Sequence, residues 1–457
     1  MRIKLGIPMP LSKIAKASGG ELISSNNAMI NYVTTDSREL YPDDLFIALV
    51  GKRYDGENYL DEAKSRGAFI LSRSKTKADI YHPKTDSALL SFAEKYAENL
   101  PIILYKIGIT GSVGKTTTKE FLKVLLEERY KCHVSSENFN NEIGMPMSIL
   151  SAPHDTEILI MEMGMNHPGE IRRLSQALKP NIAIITNVGT AHIGNLGSRE
   201  SIAKAKLEIC DGMDKGITIV PLSEPLLTAA TGRRTFSLFE GEADYCITEN
   251  EDSSLSILKA DSLYCQASFI PEGNHHRLCL AAAASAAIEV GLTPSELSSR
   301  IRSISKDKTR QNVFRYEKYH FYTDFYNASY ESVIALVSIA EKYKTDGKKS
   351  LVLGDILELG EMSPKIHFSI GKSISAPLFH NLFLYGKESE NIRLGAMESG
   401  FPEERIFSNH DIEDPDITAR QIRNHCEEGE VIFMKASRSI RLERVLNCFM
   451  TKGEKND

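Results

Sequence analysis

The sequence lacks several features that would place it in a specialised class of proteins. Its cysteines are odd in number and never form a C-x-x-C pair, which indicates free thiols in a reducing cytoplasm. No stretch approaches the ~18 apolar residues that a membrane helix needs. The basic N-terminus is followed by Pro8, Pro10 and Lys13 rather than by the apolar core of a signal peptide. We therefore expect a cytoplasmic protein without a membrane segment.

Long blocks of one charge are also missing. The net charge of -6 comes from 55 Lys+Arg against 61 Asp+Glu, spread along the chain, so no nucleic-acid partner is expected. With 42% hydrophobic and 25% charged residues, the 457-residue chain has the composition of a globular protein and enough length for several domains. The chain is expected to act as a monomer.

The clearest motif is a glycine-bracketed turn between an apolar strand and an amphipathic helix. The residues from Thr110 to Thr117 read T-G-S-V-G-K-T-T. Backbone N–H groups of such a turn and the following helix N-terminus bind phosphate, Lys115 reaches the outer phosphates, and the Thr116 hydroxyl can hold Mg²⁺. The full Walker motif would have glycine where this chain has Ile109. The alternative, a glycine-rich connection without a ligand, is less consistent with Gly-Lys-Thr at this position.

The hydrophobic pattern predicts an α/β protein with three domains. Residues 1–82 read as a small mixed domain, residues 83–311 as a central phosphate-loop domain with a parallel sheet, and residues 312–457 as a Rossmann-like parallel-sheet domain. Ligands of such sheets bind beyond the carboxyl ends of the strands. Polar residues that follow strands are therefore the candidates for a site, and the second and third domains should face each other across a cleft.

Two strand ends of the central region carry side chains suited to a metal. Glu162 ends an apolar strand, and His192 follows the next strand in G-T-A-H. Together with Thr116 they form a plausible Mg²⁺ set, although histidine is an unusual ligand for Mg²⁺ and a structural role for His192 is equally open. Lys206 lies in a helix with Lys204, and spacing alone predicts that both lysines are solvated.

Two further segments are polar enough to bind a ligand. The turn Asp36-Ser37-Arg38, with Asp55 in a second turn, could hold a phosphate or sugar, although ordinary turn chemistry explains it as well. The stretch Asn138-Phe139-Asn140-Asn141 is too rich in amides for a simple connector.

Taken together, the motifs resemble those of the Mur ligases, the ATP-dependent amide-bond ligases of cell-wall precursor synthesis. The resemblance covers nearly the whole chain through T-G-S-V-G-K-T-T-T-K-E, N-F-N-N-E-I-G, M-E-M-G-M-N-H-P-G-E-I, N-V-G-T-A-H, A-K-x-E-I, V-L-G-D-x-L-E-L-G-E and K-A-S-R. It is strongest for the branch that joins D-alanyl-D-alanine to a UDP-N-acetylmuramoyl-tripeptide. It implies these two small-molecule substrates, with ATP and Mg²⁺ as cofactors.

The resemblance also implies roles for individual residues. Catalysis would involve Lys115, Glu162, His192 and Lys206, with Lys206 converted by CO₂ to a carbamate that orients the metal site. Mg²⁺ would be held by Thr116, Glu162, His192 and the Lys206 carbamate. The nucleotide would be held by Thr110, Gly111, Ser112, Val113, Gly114, Lys115, Thr116, Thr117, His276, Arg310, Asp324 and Asn327. The other substrates would be held by Asp36, Ser37, Arg38, Asp55, Asn138, Asn140, Asn141, His167, Lys435, Ser437 and Arg438.

The chain departs from the family pattern in three loops, one of which, Tyr326-Asn327-Ala328-Ser329-Tyr330, lacks the expected proline. His276 stands where the family has an asparagine that helps to hold adenine, and Ala436 and Ser439 replace glycines near the incoming amine. Two other functions therefore stay open: a Mur-type ligase with a different acyl donor or amine acceptor, and a catalytically silent nucleotide-binding protein. The presence of all the implied catalytic residues argues against the second.

Overall fold

A computed structural model describes residues 1–51, 54–136, 139–268, 273–304 and 312–451. These residues form three β-sheets, which with their helices we call the N-terminal, central and C-terminal units. Within the described ranges, no helix combines the length and the apolar character needed to cross a bilayer. The mixed α/β architecture predicted from the hydrophobic pattern is confirmed.

The N-terminal unit is a mixed sheet in the order β1-β3-β4-β5-β6-β2, parallel from β3 to β6 and antiparallel at both ends. Its strands are β1 (Arg2–Pro10), β2 (Glu21–Leu22), β3 (Met29–Thr34), β4 (Leu45–Ile47), β5 (Phe69–Ser72) and β6 (Ile80–Tyr81). Its helices are α1 (Leu11–Ser18) and α2 (Leu60–Ser65), and α3 (Thr85–Glu98) follows. The sequence did not predict β1, whose two prolines are tolerated because β1 lies at the sheet edge.

Backbone contact joins the N-terminal unit to the central unit. At Gly6 in β1, an added Cβ atom would lie 1.8 Å from the carbonyl oxygen of Ala152. The Tyr96 hydroxyl of α3 donates to the same carbonyl at 2.7 Å. We call this contact of Gly6, Tyr96 and Ala152 the seam. Only glycine fits at position 6, since any side chain would overlap the neighbouring backbone.

The central sheet has the order β15-β14-β13-β12-β11-β10-β7-β9-β8 and is parallel except for β14 and β15. Its strands are β7 (Tyr105–Thr110), β8 (Cys132–Val134), β9 (Ile158–Glu162), β10 (Ile182–Ile185), β11 (Ile217–Pro221), β12 (Arg233–Ser237), β13 (Tyr245–Glu249), β14 (Leu255–Lys259) and β15 (Ser262–Ala267). After β7 the chain builds one side of the sheet and then continues on the other side with β10. The end of β7 is therefore a topological switch point, where open α/β sheets bind ligands.

Helices cover the central sheet on both faces. They are α4 (Lys115–Leu126), α5 (Gly144–Leu150), α6 (Glu170–Leu178), α7 (Ile193–Leu196), α8 (Arg199–Leu207), α9 (Asn274–Val290) and α10 (Pro294–Arg302). The alanine-rich α9 packs against α4, and Ala283 and Ala287 are fully buried, because their small side chains allow close approach of the two helices. Helix α9 begins at Asn274, directly after Gly273, whose φ is +77°.

The C-terminal unit is an open sheet in the order β16-β17-β21-β18-β19-β20, parallel except for the edge strand β16. Its strands are β16 (Asn312–Tyr316), β17 (Tyr319–Asp324), β18 (Lys349–Gly354), β19 (Leu382–Tyr385), β20 (Ile406–Asn409) and β21 (Val431–Lys435). Its helices are α11 (Tyr330–Lys342), α12 (Ser363–Lys372), α13 (Glu390–Glu398), α14 (Pro415–His425) and α15 (Glu443–Thr451). Its carboxyl edge turns toward the phosphate loop of the central unit.

Candidate active site

The predicted phosphate loop leaves β7 and enters α4 through two glycines with positive φ. Gly111 has φ +151° and Gly114 has φ +84°. A Cβ atom added to Gly111 would lie 1.8 Å from Oγ1 of Thr186. Glycine is therefore required both by the backbone conformation and by the space available.

Side chains that follow β10 hold this loop in shape. The Asn187 amide oxygen accepts hydrogen bonds from the backbone N–H groups of Ser112 and Val113, both at 3.0 Å. Its amide nitrogen and the Thr186 hydroxyl donate to the carbonyl of Val113 at 3.1 and 2.6 Å. The Ser112 hydroxyl in turn accepts from the backbone N–H of Gly189 at 2.9 Å. The loop is thus fixed in place by the neighbouring strand end.

Lys115 begins α4 and lies against its own loop. Its Nζ donates to the carbonyl of Gly111 at 2.8 Å. Thr116 and Thr117 occupy the same first turn and are mostly buried. The helix N-terminus and the lysine together make this end of the cradle positive, as an anionic phosphate requires.

Glu162, at the end of β9, is a buried carboxylate facing the helix start. It accepts from the Thr116 hydroxyl at 2.7 Å and from the Asn140 amide at 2.9 Å. Burial acts to raise its pKa, but the positive charge of Lys115 and these hydrogen bonds outweigh burial, so that the pKa lies below its ordinary value. The side chain is therefore ionised, and its oxygens are suited to a divalent cation.

A second lysine of α4, Lys119, is connected to Glu162 through Ser135. Lys119 is only 1% exposed, and its Nζ donates to the carbonyl of Ser135 at 2.6 Å. The Ser135 hydroxyl accepts from the backbone N–H of Glu162 at 3.1 Å. Lys119 also contributes to the low pKa of Glu162.

The prediction that Lys206 is solvated is wrong. Lys206 is 2% exposed, whereas Lys204 on the same helix is exposed. Residues two apart on an α-helix point to opposite sides, and α8 packs its Lys206 side inward. Burial, and after it the charge of Lys115, lower the pKa of Lys206 well below its ordinary value, while Glu331 partly opposes this shift. Burial at this position therefore favours the neutral amine over the charged ammonium form.

Glu208, in the motif A-K-x-E-I, contacts the backbone of the segment around the motif N-H-P-G-E-I. It follows α8 and accepts with both carboxylate oxygens from the backbone N–H of Gly169 at 2.9 Å. It also accepts from the backbone N–H of Arg172 at 3.2 Å. Glu208 thereby caps the N-terminus of α6 and fixes the helix that carries Lys206.

His192 precedes α7 and meets the C-terminal unit. Its backbone has φ +65°, and its Nδ1 lies 2.6 Å from Oε2 of Glu358. The contact holds the pKa of Glu358 below its ordinary value. Glu331, in the first turn of α11, reaches the same segment and accepts from the backbone N–H of Thr190 at 2.7 Å. Two carboxylates of the C-terminal unit therefore contact the loop after β10.

The strand ends of the C-terminal unit contribute an ion pair. Lys435, at the end of β21, is 1% exposed and donates to Asp324 at 2.6 Å and to the carbonyl of Asn327 at 2.7 Å. Asp324 ends the neighbouring β17, opposite Lys435. This fixed pair places one cation and one anion opposite the phosphate loop.

The start of α9 adds two packed imidazoles. The rings of His275 and His276 lie 3.9 Å apart between centroids. Burial and the neighbouring His276 and Lys435 lower the pKa of His275 to about 3, so that it is neutral at pH 7. Cys279 on the next turn donates weakly to the carbonyl of Gly114. The helix thereby contacts the phosphate loop directly.

These elements enclose a cavity of about 470 Å³ between the central and C-terminal units. The predicted site residues that line it are Ser112, Val113, Gly114, Lys115, Thr116, Thr117, Asn140, Asn141, Glu162, His192, His276, Asp324, Asn327 and Lys435. Within the described part of the chain, no group of three or more His, Cys, Asp or Glu side chains is arranged to hold a metal ion. A hydroxyl and one carboxylate next to a phosphate site nevertheless fit Mg²⁺, which keeps several waters and binds substrate phosphates.

The predicted substrate turn lies in the N-terminal unit and is closed on itself. Arg38 donates to both carboxylate oxygens of Asp36, at 2.8 and 2.6 Å. The Arg38 hydrogen bonds hold the pKa of Asp36 well below its usual range. Asp55 caps the next turn and pairs with Arg73 at 2.9 Å, and Ser37 is buried.

The remaining predicted residues lie elsewhere. His167 is exposed, and Arg438 is mostly exposed beside Glu443. The Ser437 hydroxyl accepts from the backbone N–H of Leu357 and so supports a loop. Thr110 is buried at the end of β7. Asn138 and Arg310 fall outside the described residues.

Sequence reasoning missed three residues that shape the site: Asn187, Glu331 and Glu358. Asn187 stands in N-V-G-T-A-H and Glu358 in V-L-G-D-x-L-E-L-G-E, so that a signal was present in both motifs. Their partners, however, lie in distant parts of the chain. No spacing rule connects Glu358 with His192, or Glu331 with Thr190.

Comparison with known proteins agrees with this geometry. A model of the Mur ligase middle domain matches residues 109–285. The UDP-N-acetylmuramoyl-tripeptide--D-alanyl-D-alanine ligase of Bacillus subtilis (strain 168) is 34% identical over 457 residues, which cover 96% of this chain and 98% of that relative.

Two solved structures are similar over nearly the whole chain. MurF from Acinetobacter baumannii has a TM-score of 0.86 at 25% identity and covers 98% of this chain and 100% of its own. MurF ligase from Thermotoga maritima in complex with ADP has a TM-score of 0.78 at 28% identity, covering 93% and 98%. The resemblance read from the motifs is thereby confirmed, and the chain belongs to the MurF group of the Mur ligase family of ATP-dependent ligases.

Proposed function

We propose that the protein joins D-alanyl-D-alanine to UDP-N-acetylmuramoyl-tripeptide at the expense of ATP. The terminal carboxylate of the tripeptide attacks the γ-phosphorus of ATP, which gives an acyl phosphate and releases ADP. The amine of the dipeptide then attacks the acyl carbon, loses a proton, and expels inorganic phosphate as the amide forms. Relatives such as the Bacillus subtilis protein carry the name of this reaction.

The observation that carries the proposal is the cavity shared by two units. On one side it has a phosphate loop held by Asn187, and on the other the Lys435–Asp324 pair. Two anions, a carboxylate and a triphosphate, must approach each other for the first step. Fixed positive groups such as Lys115 favour this approach, because they need not reorganise as charge develops.

The residues of the cavity fit Mg²⁺ as a further cofactor. Thr116 and Glu162 would hold it together with phosphate oxygens and water, and His192 would lie at a second ion. When bound, Mg²⁺ neutralises phosphate charge and polarises the transferred group. The docked C-terminal unit excludes water from the acyl phosphate, which protects the intermediate from hydrolysis.

Lys206 supports the site as a carbamate in this proposal. A buried neutral amine is the form that adds to CO₂, and the exposed Lys204 lacks this property. The resulting anion would lie near Lys115, whose charge already acts on Lys206. Addition of CO₂ to the amine releases one proton and leaves a carbamate anion, a carboxylate that would orient the metal site.

The three units would divide the work. We assign residues 1–82 to the sugar-nucleotide substrate through Asp36, Ser37, Arg38 and Asp55, residues 83–311 to ATP, and residues 312–457 to ATP and the incoming amine. Asn140, Asn141 and His167 would border the path of the peptide. The enzyme would act as a cytoplasmic monomer, which size-exclusion chromatography with light scattering tests.

The proposal is tested by measuring product and ADP with the purified protein. With ATP, Mg²⁺, UDP-N-acetylmuramoyl-tripeptide and D-alanyl-D-alanine, mass spectrometry should detect the UDP-N-acetylmuramoyl-pentapeptide, with ADP and phosphate in equal amounts. Lys115→Met should lower the rate on the order of 10³-fold, while Lys204→Met should not. Product formed with another amine, but not with D-alanyl-D-alanine, would favour a ligase with a different acceptor, consistent with Ala436 and Ser439 in place of glycines.

A further inference from the structure

Glu358 reaches the active site from the C-terminal unit, although it belongs to neither the phosphate loop nor a strand end. It lies in the loop that follows β18, and its Oε2 is 2.6 Å from Nδ1 of His192 in the central unit. Nδ1 is buried, and apart from this close contact with the carboxylate no hydrogen-bond partner reaches it among the described residues. The only carboxylate that meets this nitrogen in the described structure is thus supplied by another unit.

The loop that carries Glu358 is held firmly from within its own unit. The buried ring of His367 accepts from the backbone N–H of Ile356 at 2.9 Å through Nε2. The Ser437 hydroxyl accepts from the backbone N–H of Leu357, also at 2.9 Å. Glu358 itself has φ +64°, a conformation that is costly for glutamate. Two consecutive backbone groups are therefore fixed just before a strained residue that points across the interface.

Backbone contact complements the side-chain contact. The carbonyl of Glu358 accepts from the backbone N–H of Gly194 at 3.1 Å. A Cβ atom added to Gly194 would lie 2.6 Å from the backbone nitrogen of Gly360. Helix α7 and the Glu358 loop therefore fit together only because both Gly194 and Gly360 lack side chains, and this fit determines the position of the carboxylate relative to His192.

The contact leaves one nitrogen of His192 for the cavity. Since Nδ1 is shielded beside Glu358 and His192 lines the cavity, the nitrogen available to ligands is Nε2. A carboxylate at Nδ1 favours the tautomer that carries its proton there, and it fixes the plane of the ring. Nε2 then presents a lone pair to the cavity.

We propose that Glu358 is a positioning residue that orients His192 and sets its tautomer when the C-terminal unit docks. His192 then has the orientation and tautomer needed in the cavity only when the C-terminal unit is docked on the central unit. The carboxylate of Glu358 therefore couples docking of the two units to the state of His192. This inference rests on the proposed function, in which His192 acts inside the cavity.

The tautomer can be measured without turnover by NMR of protein labelled with ¹⁵N in the histidine rings. The His192 signals are assigned from their loss in His192→Gln. In the unmodified protein, His192 should carry its proton on Nδ1. Glu358→Ala should give a mixture of tautomers, whereas Glu358→Gln, whose amide oxygen still accepts a hydrogen bond, should keep the original one. Glu361→Gln removes the same charge at an exposed position of the adjoining turn and should change nothing.

Steady-state kinetics provide the second measurement. Glu358→Ala should lower kcat about 10- to 100-fold, with the KM for ATP within about two-fold of the unmodified value, since uniform binding is untouched. Glu358→Gln should retain most of the rate. Circular dichroism checks that each variant folds, and Glu358→Met, which keeps the length of the side chain but has no carboxylate or amide acceptor, supplies the tautomer test if Glu358→Ala does not fold.

Three results would overturn the proposal. They are an unchanged tautomer in Glu358→Ala, a mixed tautomer already in the unmodified protein, and an equal loss of rate in the Gln and Ala variants without a change of tautomer. If the unmodified enzyme formed no product, the proposed function would fail, while the NMR measurement would still decide whether Glu358 sets the state of His192.

Discussion

The phosphate loop and the Asp36–Arg38 turn are both predicted anion sites, yet the structure builds them in opposite ways. The phosphate loop is held by side chains of another strand, and its glycines leave no room for a Cβ atom. The turn is held by its own members, with an 86% exposed Arg38 bound to Asp36. Under the proposed roles, the phosphate loop is formed before its ligand binds, whereas Arg38 must exchange its internal partner Asp36 for the ligand.

This difference predicts where substitutions act. Groups fixed in a water-poor cavity lower the barrier of the chemical step, because their orientation is established before the reaction. An exposed ion pair contributes little stability, since water screens it, and its members can be recruited by a substrate. Changes near the phosphate loop should therefore affect kcat, and changes in the turn should affect the KM of one substrate.

Among the substitutions that test this contrast, the largest effect is expected at Lys206 of α8. Lys206→Ala should lower kcat about 100-fold, because the buried group that supports the metal site is lost, and an added short carboxylate should restore part of the rate. Lys204→Ala is the matched control, with the same chemical change on the exposed side of the helix. Kinetics of both variants with and without formate test this; equal rates for the two would contradict a buried functional lysine.

A smaller and more selective effect is expected at the exposed turn. Arg38→Ala should raise the KM for the sugar-nucleotide substrate about 10-fold, the size of one hydrogen bond to a charged group, and leave the KM for ATP unchanged. Lys77→Ala, which removes another surface ion pair of the same unit, is the control. A fall in kcat with an unchanged KM in Arg38→Ala would show that the turn acts in the chemical step. The turn and the phosphate loop would then not differ in the way proposed here.

The smallest effect concerns stability and comes from His275. Its pKa is lowered to about 3 mainly by burial, so the unfolded chain binds a proton that the folded chain excludes between about pH 6.5 and 3. Stability should therefore fall as the pH drops through this window. His275→Gln should reduce the slope, and His154→Gln at an exposed position should not. Urea unfolding at several pH values measures this; parallel curves for all three proteins would contradict a neutral, partly buried His275.

How far the sequence could predict the molecule depended on the range of the interactions. Strand β10 and the turn that starts α4 follow local patterns of hydrophobicity and glycine, and the structure agrees with both predictions. The burial of Lys206 could not be predicted from residue spacing, because α8 has polar residues around much of its surface. Which side of α8 is buried is determined by its packing against the rest of the unit. Resemblance, rather than residue chemistry, pointed to that lysine.

The interface between units was the least predictable part. Strand ends of the C-terminal unit were expected near the site, and Asp324 and Lys435 are found there. The contact between Glu358 and His192 joins residues from two units, and it depends on how two rigid bodies dock. The hydrophobic periodicity of a single helix or strand carries no information about the distance between His192 and Glu358.

The seam at Gly6 has a geometric consequence under the proposed binding mode. Since backbone meets backbone there without space for a methyl group, the N-terminal and central units cannot slide past each other. The span from the Arg38 turn to the phosphate loop is then a fixed length. With a donor bound at both places, the two units together would select it by the length of the chain between its two bound ends.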